Sequence, residues 1–180
     1  MPVFEQDPEA TCVKIPLHKN KIIKKTISTF LYYGILIPML LSTVFIALIQ
    51  FININANFVY TTGAFCLIFY FVLLLFSYWY SKLYYKTYYY NIKEDSIIIR
   101  KGVWFKSQIS FPYYRIQDVY IDQDVLDKLF GLYDVHLATA AETSAPLAHI
   151  DGLNEENATK IRDLLLEKIK KYGNRNDSGL

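Results

Sequence analysis

Several things are missing from this chain in places where common function classes need them. From Thr26 to Ser81 there is no Asp, Glu, Lys or Arg, a run of about 56 residues and far longer than the core helix of a water-soluble domain requires. Ion pathways, proton relays and voltage sensors need an ionisable side chain within the bilayer, so its absence here argues against a channel or transporter. No H-E-x-x-H, G-x-S-x-G or phosphate-cradling glycine loop occurs, which leaves an enzyme without recognisable machinery. There are two cysteines, Cys12 and Cys66. One is expected in reducing cytoplasm and the other within an apolar span, so no disulfide is expected, and without paired Cys/His spacing no zinc site either. No cofactor is implied. The formal net charge is only +2, and basic residues are interleaved with acidic ones in the β-type part that follows the apolar run, so nucleic acid is not an expected partner.

What the chain has instead is hydrocarbon. The uncharged run is too long for one crossing, and the polar knot Gln50-Phe51-Ile52-Asn53-Ile54-Asn55-Ala56-Asn57 divides it near 27–49 and 58–80. Each half exceeds the ~20 helical residues that cross ~30 Å of hydrocarbon, which predicts a two-helix transmembrane hairpin. Lys14, Lys19, Lys21, Lys24 and Lys25 precede the first span, Lys82 and Lys86 follow the second, and the connecting loop carries no charge. That bias places both termini in the cytoplasm of a multi-pass protein of the cell membrane. Tyr32 and Tyr33 on one side and Tyr78, Trp79, Tyr80, Tyr84 and Tyr85 on the other suit a single inner interfacial belt. A cleavable signal peptide does not fit, because the polar lead of residues 1–26 is too long. Pro38 is expected to kink the first span, and Gly34, Ser42, Gly63 and Ala64 allow close helix packing. Residues 1–10 are expected to be largely disordered.

From Thr87 the pattern becomes short and β-like. Tyr88 to Ile92, a Lys93-Glu94-Asp95-Ser96 turn and Ile97 to Lys101 read as a hairpin ending at Gly102. Further strands are expected near 105–111, 115–122, 133–139 and 146–150, with a helical turn at Val125-Leu126-Asp127-Lys128-Leu129-Phe130 that stops at Gly131. The last element reads as a helix capped by Asn154, charged to suit its dipole by Glu155 and Glu156, and closed at Gly173. Its stripe of Ala158, Ile161, Leu164, Leu165 and Ile169 demands a sheet to cover. The resulting fold class is α+β: a membrane hairpin followed, over 84–172, by a bent antiparallel sheet or partial barrel closed by a C-terminal helix, with 173–180 as a disordered tail.

Gly102, the segment Phe111-Pro112-Tyr113-Tyr114-Arg115-Ile116-Gln117-Asp118-Val119, then Leu129-Phe130-Gly131-Leu132, Val135-His136-Leu137 and Thr139-Ala140 carry a more specific likeness. The chain resembles the bacterial pleckstrin-homology domain of YdbS-like membrane proteins, over nearly everything from Ile27 to Tyr172. The resemblance implies a non-catalytic binding domain behind two membrane helices, and a place beside larger multi-domain relatives, which favours an assembly or scaffolding role in a membrane protein complex. Self-association is a further possible partner mode. The alternative is a sensor of lipids or envelope molecules at the inner leaflet.

Four basic residues are the candidate ligand-binding or membrane-facing patch: Arg100, Lys101, Lys106 and Arg115. The loop used for head-group binding in eukaryotic relatives corresponds to Lys93-Glu94-Asp95-Ser96, whose acids repel phosphate. Arg115 has the planar fork for a phosphate or carboxylate, yet pairing with Asp118, Asp122 or Asp124 is the simpler role. His136 is expected to point away from the face shared by Val135 and Leu137, and His149 and Asp151 to sit at a strand end with no nucleophile beside them.

Overall fold

The alternation read from residues 88–101 does form a hairpin, and it opens the β-rich part of the molecule. The computed structural model describes residues 9–36, 38–39, 42, 56–139 and 148–177. These form two compact units, one of Met1–Lys21 with Tyr84–Leu180 and the other of Ile22–Leu83. Of the N-terminal segment, expected over residues 1–26, the described residues 9–21 fall in the same unit as the β-rich domain.

In that unit, β1 (Tyr89–Ile92), β2 (Ser96–Lys101) and β3 (Ser107–Pro112) make one antiparallel sheet, with Tyr89 opposite Arg100 and Lys101 opposite Ser107. A 3-10 turn at Tyr113–Arg115 leads into a second antiparallel sheet of β4 (Ile116–Asp122), β5 (Tyr133–Thr139) and β6 (His149–Leu153), in that order. Among the described residues the two sheets do not close into a barrel. Pro112 has no N–H to extend the ladder, and the β1 edge is engaged by the N-terminal segment: Ile92 N donates to Thr11 Oγ1 at 3.0 Å, and Thr11 N to Asn91 Oδ1 at 3.1 Å. The last strand is His149–Leu153 rather than 146–150, and residues 140–147 lie outside the described set.

Alternating side chains of both sheets face one core. Tyr90, Ile97, Ile99, Phe111, Val119, Val135, Leu137, Ile150 and Leu153 are buried, and Ala158, Ile161 and Leu165 of the terminal helix cover them. Each fully buried Ile or Leu contributes roughly 2 kcal/mol of transfer free energy, so this stripe anchors the helix. Asn154 caps it as expected, accepting from Asn157 N at 3.0 Å, but the helix runs over Glu155–Asp177 and passes Gly173 without stopping. A single glycine costs a helix only about 1 kcal/mol, which lets residues 174–177 stay helical where disorder was expected; residues 178–180 lie outside the described set. Numbered along the chain, the helices are α1 (Thr11–Lys14), α2 (Asn20–Phe30), α3 (Ala56–Thr87), α4 (Val125–Phe130) and α5 (Glu155–Asp177), with a π-helical turn at Leu31–Leu36 after α2.

α1 and the residues after it form a strap across the domain. Tyr90 Oη donates to Ile15 O, Tyr85 Oη to Leu17 O at 2.8 Å, His18 N to Gly152 O at 2.8 Å, and Asn157 Nδ2 to Pro16 O at 3.0 Å. Cys12 packs on the core edge, and no disulfide joins it to Cys66.

In the second unit, α3 is long and apolar enough to cross a membrane, by length and composition over Tyr60–Thr87. Its apolar side chains lie largely exposed, among them Phe65, Leu67, Ile68, Phe69, Phe71 and Val72. Within this unit Ser77 Oγ donates to Thr26 O at 3.4 Å and the rings of Phe30 and Tyr70 meet edge to face at 4.9 Å, so α2 and α3 run past each other in opposite directions. Most of the expected first span beyond Leu36, and the polar loop to Asn55, lie outside the described residues, so a two-helix hairpin is not established by them.

Candidate functional site

The four basic residues singled out in the sequence do not form one surface. Arg100 is buried, with Nε and Nη2 donating to Gln108 Oε1 at 3.1 and 2.9 Å and its guanidinium 4.7 Å from the Tyr89 ring. Lys101 is also buried, and its Nζ donates to His149 Nε2 at 2.9 Å. Lys106 and Arg115 are exposed. Arg115 lies over the Tyr114 ring at 5.6 Å, and no ion pair with Asp118, Asp122 or Asp124 is seen among the described residues. The cause of the split is register: facing Gln108 and reaching the β6 strand, the two residues at the end of β2 are engaged across the sheets rather than turned outward.

A different group of charges comes together instead. Lys21, at the start of α2 and only 2% exposed, sends its Nζ to Asp151, 2.8 Å from the carbonyl O and 3.0 Å from Oδ2. The same ammonium lies 3.4 Å from the centre of the Tyr88 ring, a close cation–π contact. Lys101 Nζ is 3.6 Å from Asp151 Oδ1, and His149 Nε2 is 3.9 Å from it. Tyr88 Oη donates to His149 O at 3.2 Å and accepts from Asp151 N at 3.3 Å. Gly152 makes the approach possible: its φ is +80°, and a Cβ there would sit 2.5 Å from Lys21 Cδ. One carboxylate thus gathers the strap, the end of the first sheet, the edge of the second and the residue that follows α3.

The electrostatics follow from burial and pairing. Burial alone would raise the Asp151 carboxyl, but Lys21, Lys101 and His149 outweigh it and hold the group well below the usual carboxylate range. Burial pulls Lys21 down to about 8, against the pull of Asp151, so it stays protonated at neutral pH. His149 is pushed down to about 4 by burial and by Lys101. A charged Lys101 can only donate, so His149 Nε2 accepts and the neutral ring carries its proton on Nδ1. Burial raises the Tyr88 hydroxyl well above the normal phenol value.

Beside the cluster, Tyr120, His136 and His149 stack in a row, with ring centroids 5.2 and 5.3 Å apart. His136 does leave the face of Val135 and Leu137, both of which are buried. Among the described residues no group of three His, Cys, Asp or Glu is placed to hold a metal ion. The cluster can hold elements together and offers a neutral stacking surface, but it lacks a nucleophile with an adjacent base. Sequence reasoning read Lys21 as one of several membrane-flanking lysines and left Asp151 without a partner. The nearest signal was the Asp151-Gly152 pair, which marks a turn-like backbone but says nothing of a lysine 130 positions away.

The two-sheet domain closed by α5 matches the model of the family described as "Bacterial PH domain", over residues 30–169. The chain belongs to the bacterial PH domain family. No curated protein and no solved structure matches it. A PH-like domain is a binding module, and neither the family nor the site geometry points to catalysis.

Proposed function

We propose that this bacterial PH-domain protein is anchored in the cytoplasmic membrane by two helices, with both termini inside, and serves as an assembly component of a membrane protein complex. The anchoring rests on the uncharged, exposed apolar stretch of α3 up to Ser81 and on the lysines that flank the expected spans. The assembly reading is carried by one observation: α4 turns Val125, 85% exposed, and Leu129, 72% exposed, outward one helical turn apart. An apolar knob suits a protein surface better than a phosphate head group. Arg100 and Lys101 are moreover engaged within the fold, which leaves Lys106 and Arg115 as the accessible members of the basic set.

The test is purification of tagged full-length protein in mild detergent, beside the double change Val125→Asp with Leu129→Asp. A stoichiometric protein partner that is lost in the double variant, with the melting curve kept, supports assembly. Retention of one lipid head group, abolished by changing Lys106 and Arg115, would replace assembly by the lipid-sensor reading.

A further inference from the structure

The turn between β2 and β3 exposes Trp104 (70%) and Phe105 (95%) side by side, followed by Lys106. Two adjacent aromatic rings standing in water at a hairpin tip bury nothing of the domain's own core. The turn is tightly built: Gly102 has φ +110°, and a Cβ there would collide with the Phe105 carbonyl oxygen. Its position in the fold follows from strand register. β1 begins at Tyr89, two residues after α3 ends at Thr87, and runs away from that point; β2 runs back, bringing Arg100 opposite Tyr89 and Lys101 opposite Ser107. The tip therefore projects from the end of the sheet at which the chain arrives from α3. The opposite end of the same sheet carries the exposed turn Lys93-Glu94-Asp95. From Ile99 to Phe111 there is no acidic residue.

We propose that this turn is an interfacial foot, with Trp104 and Phe105 entering the head-group layer of the bilayer face from which α3 emerges. The inference rests on the membrane-anchored reading given above. From Tyr80, the expected end of the span, to Thr87 the chain advances only about 10 Å as helix, so little chain separates the expected span from the strand end that bears the tip. Tryptophan concentrates at that depth because its ring is apolar and its N–H needs a polar partner. Lys106 beside it suits anionic head groups, and no carboxylate in the turn opposes them. An aromatic foot fixes the orientation of the domain relative to the membrane without recognising a particular lipid.

The chain has two tryptophans, which makes the test self-controlled. Trp79→Phe leaves Trp104 as the reporter, and Trp104→Phe leaves Trp79, in the proposed span. Each full-length variant is placed in nanodiscs of phosphatidylcholine and phosphatidylglycerol, with acyl chains brominated either near the head group or near the bilayer centre. Trp104 is expected to emit at shorter wavelength than tryptophan in water, to lose emission to the shallow bromine more than to the deep one, and to be shielded from aqueous iodide. Phe105→Asp, a change at a side chain outside the core, should return Trp104 to iodide-accessible water while leaving Trp79 unchanged. Iodide quenching of Trp104 with no bromolipid effect, while Trp79 responds to bromolipid, would overturn the foot and keep the membrane anchor. Indifference of Trp104 to both quenchers would overturn it in favour of a protein cover. If Trp79 also ignores the brominated lipids, the anchor fails and the foot with it.

Discussion

The two units invert each other's relation to solvent. The β-rich unit takes charges inside, with Lys21, Arg100 and Lys101 buried and Asp151 largely covered, while α3 of the other unit leaves a row of Phe, Leu, Ile and Val side chains uncovered. In water either arrangement alone would cost several kcal/mol. In the first unit the cost is offset locally, because every buried cation meets a carboxylate, an amide oxygen, an imidazole or a ring. Among the described residues the apolar row of α3 stays largely uncovered, and hydrocarbon of the surroundings is the compensation its composition calls for. The comparison teaches that burial has to be judged against the solvent a segment was built for.

The strongest blow to this contrast is an unpaired charge in the first unit. Leu165→Asp places a carboxylate under α5 among Ile and Leu side chains, and should cost about 4 kcal/mol or more and abolish the cooperative melt of the full-length protein in detergent. An unchanged melting curve would show that the stripe is not core. Next comes Asp151→Asn, which removes the one carboxylate that Lys21 and Lys101 share; a loss of about 3 kcal/mol in denaturant unfolding is expected. A neutral result would mean that the pairing with Tyr88, His149 and backbone oxygen suffices.

On the other side of the comparison, Leu67→Arg adds a charge to an exposed position of α3. The domain's melting should not move, since no core contact is lost, but membrane insertion should be opposed by about 2.5 kcal/mol and more protein should appear in the carbonate-extractable fraction. If α3 faced water, the same change would improve solubility and nothing else.

The smallest effect is acid sensitivity. His149 has its folded pKa lowered to about 4 from 6.5, so the unfolded chain binds the proton first as pH falls from about 6.5 to 4, and stability drops across that window while remaining whole above it. Asp151 adds a loss below about 4, where the unfolded carboxyl protonates and the folded one still does not. Lowering pH from 7 to 5 should cost roughly 2 kcal/mol, and His149→Gln should flatten that slope.

Patterns that repeat along a few residues were legible before any fold was known. The β1–β2 hairpin, the α4 turn and its stop at Gly131, the outward His136 and the buried Ala158, Ile161 and Leu165 of the helical stripe all follow from two- and three-to-four-residue periodicities, whereas Leu164, expected in the same stripe, is exposed. The end of α5 lies beyond Gly173 because a single glycine costs a helix only about 1 kcal/mol and does not by itself stop one. The basic set of Arg100, Lys101, Lys106 and Arg115 looked like one patch because closeness in sequence says little about face or cover.

The sequence by itself determined that a charge-free stretch requires hydrocarbon, that a β-rich domain follows it, and which faces of its elements are apolar. These are local consequences of composition and periodicity. Only the tertiary structure decided that residues 9–21 belong to that domain and that Lys21 meets Asp151 across the chain. It also decided that Lys101 closes on His149 between two sheets while Trp104 and Phe105 remain outside. Such pairings depend on strand register and on a glycine that leaves room for a lysine stem, and no periodicity encodes a contact between residues so far apart.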